Sequence, residues 1–370
     1  MENSGSLRLL AVFGARPQFV KLAALLRGLE QCPAARRERV ELVLLNTGQH
    51  YDFAMSEVFM KDFQMPAVDF DLGVGSGSHA AQTAAMLLGV EKACGQCRPS
   101  AILVFGDTNS TLAGALVGAK LHIPVIHIEA GLRSFDRAMP EEVNRVLTDA
   151  VSSLLLCPCE EARGNLLRES AVGRIEVVGD LMIDIARETS AADAGGLAEI
   201  RGMGLEPGAY VLATIHRAEN TDNPDRLAAI ADALESLARR VPVVMPLHPR
   251  TRAAAARDGV AFRSVSILDP VGYPAMVRLV MHSRAVLTDS GGLQKEAHFF
   301  RKPCTTLRTT TEWTGTLESG WNVLSGPDAA EVERAALREE PKAETWRPLY
   351  GNGDSGLRCW DQIANHWPLS

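Results

Sequence analysis

Three acids and an arginine stand where a chain can place proton-transfer chemistry. Asp107 comes just after the apolar run Ala101–Phe105, and Glu129 directly ends the apolar run Val125–Ile128. Glu141 follows Pro140 at the start of a helical pattern, with Arg145 one turn on. A carboxylate at the end of a buried strand costs free energy unless a cation or ligand compensates it. Lys21 and Arg145 are the natural cations. Helix capping is the alternative account of Asp107, ahead of a helix at Ser110, and of Glu141 in a first helical turn. Capping is worth only ~0.5–2 kcal/mol, and Ser or Thr would serve equally. Glu129 has no capping account, because it runs into Ala130-Gly131. Acids so placed suit general acid–base catalysis, worth ~10²–10⁴-fold, and nearby arginines suit stabilisation of a departing anion.

Two turns have the composition for that anion. Gly14-Ala15-Arg16-Pro17 follows the run Leu7–Phe13 and opens a helix, so backbone N–H groups and Arg16 are expected to meet a phosphate there. It lacks the further glycines of G-x-G-x-x-G, so a dinucleotide is not indicated. Thr288-Asp289-Ser290-Gly291-Gly292 lies between the run Ala285–Leu287 and a helix. Its glycines allow close backbone approach, and the Ser290 hydroxyl at a helix N-terminus suits a pyrophosphate; a tight turn with a capping serine is the alternative. Glu296, about one turn on, is placed to accept hydrogen bonds from ribose hydroxyls. His216-Arg217 follows the run Tyr210–Thr214 and is expected to hold or protonate a departing phosphate, with Glu219 orienting one of them. His248 sits similarly after Val243–Met245. Tyr273 either stacks on a base or packs as a core aromatic.

Such residues work only if strand ends are brought together. The β-α alternation along the chain predicts parallel sheets with crossover helices. Strands are expected at Leu7–Phe13, Val40–Leu45, Ala101–Phe105, Val125–Ile128, Leu154–Cys157 and Ile175–Val178, with helices over Phe19–Leu29, His79–Ala93 and Ser110–Leu121. The Ala/Gly-rich segment Ser190–Gly204 reads as a linker. Beyond it strands recur at Tyr210–Thr214, Val243–Met245, Val265–Leu268, Ala285–Leu287 and Cys304–Leu307, with a helix over Pro224–Ala238. The expected architecture is therefore α/β with two Rossmann-like domains, residues 1–189 and 190–351. A last helix, Ser355–Trp367 within 352–370, is expected to pack back on the first domain.

The 370-residue length exceeds one comfortable core. No run approaches ~18 apolar residues, so no membrane span is indicated, and the first residues lack the build of a signal peptide. A cytoplasmic chain is expected. A net charge of −7 argues against non-specific binding to nucleic acid or anionic membrane, while a local arginine cluster still permits a polyanionic ligand. Seven cysteines, an odd number, read as reduced thiols, and no metal site is expected from Cys94–Cys97 with Cys157–Cys159. The charge run Arg36–Arg39 reads as a solvated loop.

These blocks, in this order, resemble the non-hydrolysing UDP-N-acetylglucosamine 2-epimerases over nearly the whole chain. The likeness runs through Gly14-Ala15-Arg16-Pro17 with Lys21, Thr47-Gly48-Gln49-His50, Gly106-Asp107-Thr108, His127-Ile128-Glu129-Ala130-Gly131-Leu132-Arg133 and Pro140-Glu141-Glu142-Val143-Asn144-Arg145. It continues through Val178-Gly179-Asp180, His216-Arg217 with Glu219, and Thr288-Asp289-Ser290-Gly291-Gly292 with Gln294 and Glu296. The resemblance implies a GT-B-type fold whose two domains face a cleft, with UDP bound there mainly by the second. It also implies anti elimination of UDP across C1–C2 to a 2-acetamidoglucal, then re-addition after protonation of C2 on the other face. No nicotinamide or metal cofactor is implied, and a homodimer is. By motif, Asp107, Glu129 and Glu141 become the acid/base candidates near C2, and Lys21, Arg145 and His216 contact the sugar or stabilise charge. Arg16, Ser290, Gly291, Gly292 and Glu296 hold diphosphate and ribose, with Arg217, His248, Tyr273 and Arg308 as further UDP-binding positions.

Two departures narrow the resemblance. Tyr51-Asp52-Phe53-Ala54-Met55 after His50, and Gly73–His79, lack the arginine that many relatives use for an allosteric UDP-GlcNAc. Arg308-Thr309-Thr310-Thr311-Glu312-Trp313 replaces the usual Arg-Asp-Thr-Thr-Glu-Arg-Pro. Together with Gly320-Trp321-Asn322-Val323-Leu324, this is closer to the branch that epimerises UDP-2,3-diacetamido-2,3-dideoxyglucuronate to the mannuronate for surface polysaccharide. A UDP-GlcNAc 2-epimerase, a hydrolysing 2-epimerase, a GT-B glycosyltransferase and a nucleotide-sugar binding protein are the alternatives.

Overall fold

Short runs of Val, Ile, Leu and Ala without polar alternation make strands covered on both faces, which is the condition of a parallel sheet between helices. The computed structural model, which describes residues 6–49, 60, 63–192 and 195–367, has two such sheets. The chain forms two compact units: residues up to Ile185 with those from Tyr350 onward, and Ala186–Leu349.

In the first unit the strands are β1 (Leu7–Phe13), β2 (Val40–Asn46), β3 (Phe70–Asp71), β4 (Ala101–Phe105), β5 (Val125–Ile128), β6 (Leu154–Cys157) and β7 (Arg174–Val177). They pair in parallel in the order β3-β2-β1-β4-β5-β6-β7. Leu10, Val12, Ile102, Val104 and Val125 fill one face against helix residues Val90, Ala93 and Val117. The second unit has β8 (Val211–Thr214), β9 (Val243–Pro246), β10 (Ser266–Leu268), β11 (Ala285–Thr288), β12 (Cys304–Thr306) and β13 (Asn322–Leu324), in the order β10-β9-β8-β11-β12-β13. Each order reverses beside its first strand, between β1 and β4 and between β8 and β11. In open α/β sheets the carboxyl ends at that reversal form the ligand crevice. The turns there carry Gly14 and Asp107 in one unit, and His216 and Asp289 in the other.

Several local expectations are revised. The first helix is Arg16–Gln31 and begins earlier than Phe19, because Pro17 suits a first turn and the Gln18 amide bonds back to the turn before it. The segment read as a linker contains a helix, Gly196–Gly202, with Ile200 buried in the second core. Arg36 and Arg37 end a short helix, Ala34–Arg37, and Arg36 pairs with Asp361 of the last helix rather than standing in a solvated loop. β3, at two residues, is too short to leave a periodic signal, and β13 (Asn322–Leu324) is a further strand not expected from the sequence. Among the described residues, no helix is long and apolar enough to cross a membrane.

The last helix, Ser355–His366, packs on Arg16–Gln31, and Trp360 donates its indole N–H to Leu25 O at 2.7 Å. Gly28 and Gly356 let the two backbones touch: a Cβ on Gly28 would lie 2.3 Å from the Gly356 carbonyl carbon. An alanine gains ~1 kcal/mol of helix propensity over glycine, but overpacking against immovable backbone costs ~1–3 kcal/mol or more. Gly28→Ala is therefore expected to lower the urea midpoint of the protein, and an unchanged or higher midpoint would contradict this packing.

Where the chain leaves the first sheet, Asp184 accepts the N–H groups of Ser355 at 3.0 Å and Gly356 at 2.7 Å. Burial pushes its carboxyl up to about 6, against those two donors. The folded state thus holds this proton more tightly than the unfolded chain, so the group's contribution is full below pH ~4 and lost as pH rises through 6. Glu142 and Asp149, both held below the usual carboxylate range, act in the opposite sense, and their contributions are lost only as pH falls below ~4. Between pH ~4.5 and ~6.5 the Asp184 contribution should fall by roughly 2 kcal/mol. Denaturant unfolding at the two pH values should show that loss in the wild type and a flatter profile in Asp184→Asn; equal slopes would count against it.

Candidate active site

β4 stops at Phe105, and Gly106 at φ +64° turns the chain so that Asp107 stands at the strand end. β5 stops at Ile128, and Glu129 takes φ +70°, a left-handed conformation that is rare and costly without glycine. Its carboxylate meets Lys21 Nζ at 2.7 Å, with the two side chains only 12% and 8% exposed. Low exposure strengthens the pairing and makes either charge expensive alone. A Cβ on Gly106 would lie 3.2 Å from Lys21 Nζ and 3.3 Å from Glu129 Oε1, so the glycine also leaves room for the pair.

Asp107 Oδ2 accepts from Arg145 at 2.5 Å, and the Asn144 amide donates to Asp107 O at 2.9 Å. Both cations reached from the helices Arg16–Gln31 and Pro140–Val151 thus stand on strand-end acids. The same helix settles Glu141 against Glu142. Glu142 is buried and bonds Arg145 at 3.1 Å, Ser134 N at 2.8 Å, Ser134 Oγ at 3.0 Å and Phe135 N at 3.0 Å. Those donors hold its carboxyl below the usual range in spite of burial, which acts the other way. Glu141 is half-buried and makes no hydrogen bond or ion pair to the described residues, so its carboxylate is uncommitted. Glu142 positions the loop; Glu141 does not.

At the other turn of the first unit, the expectation for backbone donors fails. The N–H groups of Gly14 and Ala15 donate to Gln18 Oε1 at 2.8 and 2.9 Å, and are therefore not offered to an anion. Gln18 in turn donates to Phe105 O at 2.9 Å, which ties the β1 turn to the end of β4. Arg16 is half-buried in the first helical turn.

In the second unit, Ser290 is the N-cap residue of the helix Gly291–Phe299, yet its side chain makes no capping bond. The capping account of Ser290 is thus set aside. Gly291 has no room for a Cβ, which would lie 2.8 Å from Trp313 Nε1 and 2.9 Å from Glu312 Oε1, whereas Gly292 is open on that side. Arg308 is buried and bonds Glu312 Oε2 at 2.9 Å, while Arg217 lies 3.7 Å from Glu312 Oε1. Arg308 therefore reaches the turn through Glu312.

His216 N donates to both oxygens of Asp289 at 3.1 and 3.0 Å, Arg217 N to Oδ2 at 2.9 Å, and the Asn220 amide to Oδ2 at 2.9 Å. Asp289, wholly buried, is thus the residue that orients the His-Arg turn. Glu219, expected in that role, instead pairs with Arg226 at 3.0 Å. The His216 and His248 rings lie 5.3 Å apart, and His248 Nδ1 accepts the Arg250 N–H at 3.2 Å as a helix cap. Tyr273 is a buried aromatic whose hydroxyl donates to Glu296 Oε1 at 2.8 Å. Glu296 is also buried.

Asp289, Gln18 and Glu142 were given no role from the chain alone. For Asp289 the signal existed: like Glu129, it is an acid that ends an apolar strand. His50 and Tyr51–Met55, where the allosteric arginine is missing, lie outside the described residues.

Comparison with known proteins bears on the same architecture. The family model described as UDP-N-acetylglucosamine 2-epimerase matches residues 33–364. The chain is 43% identical to the UDP-2,3-diacetamido-2,3-dideoxy-D-glucuronate 2-epimerase of Pseudomonas aeruginosa, over 97% of this chain and 99% of that one. It is 39% identical to a UDP-N-acetylglucosamine 2-epimerase homolog of Methanococcus maripaludis, over 97% and 100%. Among solved structures, the Methanocaldococcus jannaschii UDP-GlcNAc 2-epimerase in complex with UDP-GlcNAc and UDP superposes with a TM-score of 0.87 at 36% identity, covering 97% of this chain and 100% of that one. The α/β architecture is the GT-B type shared by these proteins. With two Rossmann-like sheets, acid–cation pairs at the strand ends of one and a glycine turn at the reversal of the other, the chain belongs to the UDP-N-acetylglucosamine 2-epimerase family.

Proposed function

We propose that this chain epimerises a UDP-activated acetamido sugar at C2 by elimination and re-addition of UDP, with UDP-2,3-diacetamido-2,3-dideoxyglucuronate as its substrate. The carrying observation is the pair of strand-end carboxylates, each opposite a cation: Glu129 with Lys21 and Asp107 with Arg145. One carboxylate takes the C2 proton while the C1–O bond to UDP breaks, leaving a 2-acetamidoglucal and UDP. A second acid then delivers a proton to the opposite face of C2, and a diphosphate oxygen re-forms the bond at C1. No atom is gained or lost and nothing is oxidised. Glu141, uncommitted in the structure, is the third acid available for this exchange. Lys21, Arg145 and His216 stabilise the charge that develops on sugar and leaving group.

The second unit supplies the grip on UDP. Ser290 and the Gly291-Gly292 N–H groups meet the diphosphate with Arg217 and His248, and Arg308 acts through Glu312. Glu296, set by Tyr273, takes the ribose. The diacetamido uronate is favoured by the 43% identity with the Pseudomonas aeruginosa enzyme of that activity and by the Thr-Glu-Trp in place of Thr-Glu-Arg-Pro. The homodimer and cytoplasmic location implied by the family likeness are part of the same proposal, and light scattering checks the first. The substrate test is turnover of the diacetamido uronate against UDP-GlcNAc, with gluco and manno products separated chromatographically. A manno product from the uronate alone supports the assignment. Turnover of UDP-GlcNAc alone replaces the substrate, and release of free sugar replaces the reaction.

A further inference from the structure

The turns that carry Asp107 and Glu129 are tied to a single buried ion network that no catalytic step uses. His127, on β5, is wholly buried, with its Nε2 at 2.8 Å from Gly106 O and its Nδ1 at 2.6 Å from Asp149 Oδ1. Both neighbours are acceptors that face the two ring nitrogens. Asp149 Oδ2 in turn accepts the Gly131 N–H at 3.1 Å and Arg133 at 2.7 Å, and Arg133 is clamped by Glu169 at 2.8 and 2.6 Å. His127 and Arg133 together hold the Asp149 carboxyl below its usual range, in spite of burial that pushes it up.

Gly106 directly precedes Asp107, and Gly131 comes two residues after Glu129. The path Gly106 O, His127, Asp149, Gly131 N therefore runs from one acid's turn to the other's through hydrogen bonds that water does not reach. Glu129 needs such restraint, because its left-handed backbone relaxes unless the surroundings hold it. We propose that His127 and Asp149 are a positioning pair that sets the relative geometry of Asp107 and Glu129 about C2. Neither touches the substrate. This rests on the epimerase reading above.

Because the pair is buried, simple loss of folding has to be told apart from loss of geometry. The discriminating quantity is a ratio: solvent deuterium washed into unreacted gluco substrate, divided by deuterium in the manno product. A smaller folded fraction lowers both terms together and leaves the ratio unchanged. A changed distance between two acids alters it. Asp149→Asn and His127→Gln are expected to lose roughly 10²-fold in kcat, the scale of a misplacement of about 1 Å. The ratio should shift severalfold while affinity for UDP, whose proposed site lies mainly in the other unit, is unchanged. His127→Gln keeps a donor for Gly106 O and should retain more activity than His127→Phe. Should His127→Phe fail to fold, Asp149→Asn decides. An unchanged kcat, or a lowered kcat with the wild-type ratio, overturns the positioning role. A wild-type protein inactive on both UDP-acetamido sugars instead removes the epimerase reading itself.

Discussion

Glu129→Gln is expected to lower turnover by roughly 10²–10⁴-fold, the usual share of a positioned acid or base, while binding UDP as the wild type does. The amide keeps the shape of the carboxylate and an oxygen within reach of Lys21, now 2.7 Å away, but it cannot accept the C2 proton. It also leaves the Lys21 ammonium without its counter-charge in a site only 8% exposed, and breaking such a pair costs about 3 kcal/mol. The stability loss and the catalytic loss can be separated. Adding Lys21→Met removes the stranded cation, so the double variant should unfold later than Glu129→Gln alone and still be inactive. Thermal unfolding and product analysis on the three proteins check this. Recovery of turnover in the double variant would show that Glu129 matters for charge balance alone.

Asp289→Ala should have the second large effect, on UDP. Its carboxylate holds two backbone donors and one amide, all at 2.9–3.1 Å in a fully buried place. Each donor left without an acceptor costs ~1–3 kcal/mol, so the second unit should lose about 3 kcal/mol or more of stability. The turn bearing His216 and Arg217 is released at the same time, and the Kd for UDP should rise roughly 10²-fold, equivalent to about 2.7 kcal/mol. Asp289→Asn retains one acceptor oxygen and should fall between. Calorimetric titration with UDP on folded protein measures it, and unaltered affinity in Asp289→Ala would leave His216-Arg217 without a part in UDP binding.

The fold and the strand-end places of the candidate residues are legible in the chain because a parallel sheet imposes strong rules. A strand covered on both faces is apolar throughout, so an acid at its end stands out, and the strand ends are where ligands sit. Asp107, Glu129 and the Ser290-Gly291-Gly292 turn were found in this way. The partners of these groups were not legible. The sequence shows that Gly14 and Asp107 each follow an apolar strand, but not that Gln18 occupies the Gly14 and Ala15 N–H groups. Glu141 and Glu142 differ by ~100° around one helix, and only the packed helix shows that Glu142 is the one buried against Arg145. Glu219 and Asp289 are similar candidates to orient His216; the choice depends on β8 lying beside β11, a contact between residues more than seventy apart. The linker reading failed for a related reason: Ala and Gly are compatible with a short helix once Ile200 has a core to enter.

The most direct measurement is proton NMR of the purified protein with UDP-2,3-diacetamido-glucuronate, and separately with UDP-GlcNAc, in D2O. Elimination through a 2-acetamidoglucal requires the C2 hydrogen to leave, so the expected result is a manno product carrying deuterium at C2. A manno product that keeps its C2 protium, or no exchange with either sugar, would contradict the elimination chemistry assigned to Asp107, Glu129 and Glu141.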